Sequence, residues 1–140
     1  MLESEAIRPT TPPKASPRPT RVLVAEDNPL NQKLFQMILG SEGIDVVLAD
    51  NGKVAVEAIE SDPNFDLVLM DVQMPEMDGL EATRKIRENP LTCSIPVIAV
   101  TAYLLEVGRD TCLEVGMNDY VEKPFRRETI LETLRKWVRQ

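Results

Sequence analysis

Histidine is absent from this chain of 140 residues. Without an imidazole there is no histidine base, no histidine metal ligand and no phosphohistidine within the chain, so its chemistry must run on carboxylates, hydroxyls and lysine. Cysteine is scarce. Cys93 and Cys112 are the two thiols, with no CxxC spacing and no metal-ligand cluster, and read as reduced, structural residues. No apolar run approaches the roughly 20 residues of a membrane span, and the start MLESEAIRPT lacks the basic and apolar regions of a signal peptide. A cytoplasmic location without membrane contact is therefore expected. Basic charge is in deficit, with 16 Lys and Arg against 23 Asp and Glu for a net charge of −7, which argues against direct nucleic-acid binding. A Gly-rich dinucleotide loop is also missing, setting aside a cofactor-binding Rossmann role.

What is present divides at residue 20. Residues 1–20 hold five prolines (Pro9, Pro12, Pro13, Pro17, Pro19) among Thr, Ser and scattered charge, a composition that cannot pack a core and reads as a flexible linker or tail. That tail carries three basic and two acidic residues, so residues 21–140 carry 13 and 21. The acidity belongs to one domain of 120 residues, long enough to bury a core unaided.

From Arg21 onward, short apolar runs alternate with helical patterns. Strands are predicted at 22–25, 46–49, 67–70, 97–100 and 120–122. Helices are predicted at 29–42, with Asn28 as cap and Pro29 in the first turn, and at 53–61, 80–88, 104–115 (closed by Gly116) and 126–138. Five strands each followed by a helix imply a parallel sheet with helices on both faces. On the first helix Leu34, Phe35 and Ile38 have core spacing, while Leu30 and Met37 fall on another flank. Arg135, Lys136 and Arg139 read as a solvated face that complements the last helix's dipole.

The run LVLM ends at Asp71, and RVLVA ends at Glu26 and Asp27. Both places are carboxyl ends of predicted parallel strands, where open α/β sheets bind ligands. Acids brought this close repel unless a hard divalent ion neutralises them, and Mg2+ favours a few carboxylates plus waters. Thr101 and Lys123 end two further strands on the same edge. Acids for a cation, a hydroxyl and one ammonium make an inventory suited to phosphoryl transfer onto a carboxylate. Pro75 and Gly79 shape the loop after Asp71, and Met74 and Met77 pack it.

With AEDN, MDVQMPEMDG, VTA and EKPF in this order, and 44, 30 and 22 residues separating Asp27, Asp71, Thr101 and Lys123, residues 21–140 resemble the receiver domains of two-component response regulators. The wording VLVAEDNPLNQK and GMNDYVEKPF is most similar to receivers appended to hybrid sensor histidine kinases, and a Pro-rich leader fits such an origin. The resemblance implies a flavodoxin-like (βα)5 fold with strand order 2-1-3-4-5. It also implies a Mg2+-dependent transfer of a phosphoryl group from the phosphohistidine of a histidine kinase or histidine phosphotransfer protein. Carried over by motif, Asp71 is the phosphoacceptor, and Glu26, Asp27, Asp71 and the Gln73 backbone carbonyl hold the metal. Thr101 is the phosphate-sensing hydroxyl, Lys123 the phosphate-contacting cation held by a cis bond to Pro124, and Tyr120 the switch aromatic. The switch would remodel the face made by the predicted fourth helix, fifth strand and fifth helix. Gln73 and Tyr103, each two residues past a site residue, would set the phosphoryl lifetime, with Tyr103 as a shield against water. Leu30 and Met37, beside Asp27, would dock a partner's helix.

Other readings stand beside these. Thr101 could cap the helix that follows, and Tyr120 and Tyr103 could simply pack. The chain could be a stand-alone regulator acting by protein binding. A small Mg2+-dependent phosphohydrolase is a rival from another class, but such enzymes need a second acid two residues past the nucleophile, and Gln73 stands there. Self-phosphorylation and self-dephosphorylation without turnover of an external substrate are expected.

Overall fold

A computed structural model describes residues 19–102 and 104–138. Most of the expected tail, together with Tyr103 and Arg139, lies outside the described residues.

Five strands form one sheet: β1 (Arg21–Ala25), β2 (Asp45–Ala49), β3 (Leu67–Met70), β4 (Val97–Thr101) and β5 (Asp119–Glu122). All neighbouring pairs are parallel and the spatial order is β2-β1-β3-β4-β5, the expected 2-1-3-4-5. Every residue of β3 and β4 is buried, because helices cover both faces of the central strands.

The helices are α1 (Pro29–Gly40), α2 (Gly52–Ser61), α3 (Gly79–Glu88), α4 (Leu104–Val107), α5 (Arg109–Glu114) and α6 (Arg127–Trp137). Three of them start at side-chain caps that satisfy otherwise orphaned amides. Asn28 accepts from Leu30 and Asn31, Asn51 from Val54, and Asp78 from Glu81. Phe35 and Leu39 of α1 pack with Ile130, Leu134 and Val138 at the last helix against one face of the sheet. Ala55, Ile59, Ala82, Ile86, Leu104 and Cys112, from α2 to α5, cover the other.

Three expectations are corrected. The helix expected over 104–115 is two short pieces, because Gly108 sits at φ +92, in the left-handed region. Its amide closes α4 on the Leu104 carbonyl and its own carbonyl opens α5 by accepting from Cys112. Leu34 is not core: its side of α1 turns outward, leaving it 39% exposed, whereas the apolar face runs through Phe35 and Leu39. Cys93 is an exposed residue between α3 and β4, although Cys112 is buried as a structural thiol should be. Arg135 and Lys136 are exposed as expected, but Lys136 also pairs with Asp119 at 3.4 Å.

Candidate functional site

The carboxyl ends of β1, β3 and β5 bring the predicted residues together. Glu26 follows β1 and its amide donates to the Ala49 carbonyl, extending the β1–β2 ladder by one step. The Asp71 amide likewise donates to Ala25, placing the residue just past β3. One carboxylate oxygen each from Glu26, Asp27 and Asp71 lie within 4.8 Å of one another. Glu26 and Asp71 are buried, and Asp27 is exposed at the mouth.

Lys123, just past β5 and joined to Pro124 by a cis peptide, reaches into this group. Its Nζ lies 2.7 Å from Glu26 Oε1 and 2.8 Å from Asp71 Oδ2. Its backbone amide donates to the Thr101 carbonyl at 3.0 Å, tying the lysine to the end of β4. One ammonium thus pairs with two of the three carboxylates, Glu26 and Asp71. Burial holds Asp71 above the usual carboxylate value, with a further push from Glu26, and the bond from Lys123 does not offset it. For Lys123 the balance is opposite: burial alone would lower it, but Asp71 and Glu26 hold it above its ordinary value. The two directions agree once depth is considered, since Asp71 is the more deeply buried partner and loses more hydration on ionising.

Glu26 Oε1 is buried and, despite the nearby ammonium, receives no hydrogen bond of adequate geometry. Its other oxygen accepts from the Asn28 amide at 3.0 Å. The Lys123 ammonium compensates the charge of this oxygen at 2.7 Å without a well-aligned hydrogen bond, which leaves room for a further hard cation to coordinate it. The donor set is entirely oxygen, as hard divalent cations require.

The remaining predicted residues surround this centre. Thr101 is buried at the end of β4. Tyr120 is half-buried in β5, where the Arg109 guanidinium lies 5.2 Å from its ring centroid. Gln73 is exposed, and its amide donates to Asp71 Oδ1 at 3.3 Å. Gly79 allows the loop after Asp71 to fold back: a Cβ there would collide with the Asp71 carbonyl, and the Gly79 amide donates to Val72 at 2.8 Å. Met74 and Met77 pack against the core, as expected of them. Leu30 and Met37 are each 68% exposed on α1, and with Leu34 they make an apolar stripe at i, i+4 and i+7.

Two participants escaped the sequence reading. Asn28 was legible as a cap, but not as the donor that holds Glu26. Gln32, on the first turn of α1, sends its side-chain amide to the Glu26 carbonyl at 2.6 Å and to Asp50 Oδ1 at 2.9 Å. No spacing rule announces such a bridge, because it joins a helix to the ends of two strands.

Comparison with known proteins gives the family. The sequence profile of the response regulator receiver domain matches residues 22–135. Sensor protein GacS of Pseudomonas syringae pv. syringae is 39% identical over 141 residues, covering 99% of this chain and 15% of that protein. Signal transduction histidine-protein kinase BarA of Escherichia coli (strain K12) is 40% identical over 116 residues, covering 83% of this chain and 12% of that protein. The chain therefore spans a small part of the length of these relatives. Among solved structures, the receiver domain of a Pseudomonas aeruginosa sensor histidine kinase, with a magnesium ion coordinated in its active-site cleft, superposes with TM-score 0.80 at 40% identity over 86% of this chain and 98% of that one. The co-crystal structure of the Saccharomyces cerevisiae phosphotransfer protein Ypd1 with the receiver domain of Ssk1 matches with TM-score 0.77 at 28% identity, over 86% and 89% of the two chains. No helix among the described residues is long and apolar enough to cross a membrane. The chain belongs to the response regulator receiver domain family.

Proposed function

We propose that residues 21–140 are the receiver domain of a phosphorelay and that Asp71 accepts a phosphoryl group from a partner's phosphohistidine in a Mg2+-dependent reaction. The observation that carries this reading is the cluster of Glu26, Asp27 and Asp71 carboxylates, two of them paired with Lys123, at the ends of parallel strands. In the transfer, an Asp71 carboxylate oxygen forms a bond to phosphorus as the phosphorus–nitrogen bond breaks, and the electron pair leaves with the partner's imidazole. Glu26, Asp27, Asp71 and the Gln73 carbonyl are the residues that would hold Mg2+. When bound, the cation would neutralise charge on the phosphoryl oxygens as the carboxylate attacks. Lys123 starts 2.8 Å from Asp71 and is placed to pair with the incoming phosphoryl oxygens.

Thr101 and Tyr120 are read as the responding pair. A phosphoryl group at Asp71 draws in the Thr101 hydroxyl, and Tyr120 follows, altering the surface formed by α4, α5, β5 and α6. Gln73 and Tyr103 are read as the residues that govern how long the phosphoryl group lasts. The stripe of Leu30, Leu34 and Met37 begins beside Asp27, on the edge from which a phosphohistidine must approach, and fits an apolar helix of the histidine-bearing partner. The identity to receiver segments of much longer sensor kinases supports an origin in a hybrid histidine kinase. Incubation with acetyl phosphate tests the chemistry: intact mass should rise by one phosphoryl group with Mg2+ and not with a chelator. Equal labelling under both conditions would remove the metal from the reaction.

A further inference from the structure

We propose that Gln32 is a positioning residue for the cation site, orienting the Glu26–Asp27 peptide by hydrogen bonding while making no contact with the cation. The inference rests on the reading of Glu26 and Asp27 as cation ligands. The β1 strand ends at Ala25, so the Glu26 carbonyl lies beyond the last residue of the regular ladder. Its partner is supplied from another element: Gln32 Nε2 donates to it at 2.6 Å and, with its second hydrogen, to Asp50 Oδ1 at 2.9 Å. Both partners are acceptors, which fixes the amide with its nitrogen toward the strands.

The helix does not need these bonds. The Gln32 backbone amide is already satisfied by the Asn28 carbonyl at 3.0 Å. What the side chain secures is the far side of residue 26. The amide of Glu26 is held by Ala49 at 2.9 Å, its carboxylate by the Asn28 amide at 3.0 Å, and its carbonyl by Gln32. A planar peptide follows that carbonyl, so its direction sets where the Cα of Asp27, and hence its carboxylate, is placed. Without Gln32, Asp27 is the one acid of the three whose approach to the others is unguided, because it is exposed while Glu26 and Asp71 are buried. Gln32 also occupies Asp50, the exposed carboxylate just past β2, with a neutral donor. Hydrogen bonds of this outer kind are commonly worth a factor of about 10 or more in metal affinity.

The test is titration of the whole chain with MgCl2, followed by calorimetry and by the backbone amide resonances of residues 26 and 27. Gln32→Met keeps the length and volume of the side chain but has no N–H. It should weaken Mg2+ binding by about tenfold and shift the Asp27 amide in the metal-free protein, with the rest of the amide spectrum unchanged. Gln32→Asn retains an amide but is one carbon too short to span both acceptors, and serves where the methionine variant does not fold; a loss of affinity is expected there also. Wild-type affinity in the folded variants would show that Gln32 only packs, and overturns the inference. Failure of the wild-type chain itself to bind Mg2+ would instead overturn the cation-site reading on which it rests.

Discussion

At the amino ends of the strands, the charged side chains are held by hydrogen bonds and ion pairs. Arg21 faces Asp45 at 3.3 Å and Asp62 at 2.8 Å, and lies over the Phe65 ring, while its amide is held by Asp66. Arg87 donates to the carbonyls of Gly116, Cys93 and Ile95 and to the Asn118 side chain, fastening the entries to β4 and β5. Asp119, at the start of β5, accepts from the Trp137 indole at 2.8 Å. At the carboxyl ends, three carboxylates gather while Lys123 pairs with two of them, Glu26 and Asp71, and a buried oxygen of Glu26 lacks a well-aligned donor. One sheet therefore carries a satisfied edge and a frustrated one. The first holds the fold together, and the second stores an electrostatic imbalance that a cation and a phosphoryl group can use.

The contrast is open to direct attack. The largest stability effect is expected at the satisfied edge: Arg87→Ala leaves partly buried carbonyls unpaired and should lower unfolding free energy by about 2–3 kcal/mol, as read by urea denaturation, with Mg2+ affinity unchanged. A Mg2+ defect in that variant would mean the two edges are not separate.

Asp27→Ala should behave in the opposite way. Loss of one ligand should weaken Mg2+ binding by at least about tenfold, roughly 1.4 kcal/mol, while relief of carboxylate repulsion keeps the metal-free thermal midpoint equal to wild type or above it. Superimposable titrations of the two proteins would remove Asp27 from the cation site.

Acid titration sharpens the comparison further. The Asn64 amide, aided by Arg21, holds Asp62 below the usual 3.8. Burial alone would raise Asp119, but Trp137, the Tyr120 amide and Lys136 outweigh it and hold it low. Stability from these two acids is present above 3.8 and is lost as pH falls through their lower folded values. Asp71 has the reverse sign, because its folded value is raised: its contribution is fully favourable below 3.8 and is lost as pH rises through that folded value. In metal-free thermal melts, wild type should therefore lose its advantage over Asp119→Asn on acidification. Relative to Asp71→Asn, wild type should instead improve on acidification. Parallel curves for the two variants would contradict the division of the sheet into two edges.

The smallest effect on chemistry is expected at Thr101. Thr101→Ala should still take up a phosphoryl group, but amide shift changes across α4, α5, β5 and α6 on phosphorylation should disappear. Identical changes in both proteins would separate the hydroxyl from the response.

Much of the site was legible because strands write it in one dimension. The run Leu67–Met70 can only be a buried strand, so Asp71 must emerge at its end, and the same logic places Glu26, Asp27, Thr101 and Lys123 on one edge. Elements whose form depends on a single backbone angle were less legible. Gly108 divides α4 from α5 through a positive φ that leaves no trace in the apolar spacing. Leu34 was misplaced because an i, i+1, i+4 cluster is compatible with two rotations of the helix, and only packing against Ile130 and Leu134 selects the one that buries Phe35 and Leu39. Gln32 and Arg87 were invisible as braces, since each ties a helix to strand ends or loops whose approach no spacing along the chain announces.

The proposed role of the carboxyl edge is to make Asp71 a phosphoryl acceptor. The most direct measurement is intact mass after treatment of wild type and Asp71→Asn with acetyl phosphate in saturating Mg2+. The amide oxygen of the variant is a far poorer nucleophile, so wild type should gain one phosphoryl group and Asp71→Asn none. Labelling that persists in Asp71→Asn, or a wild type that gains nothing, would contradict the account.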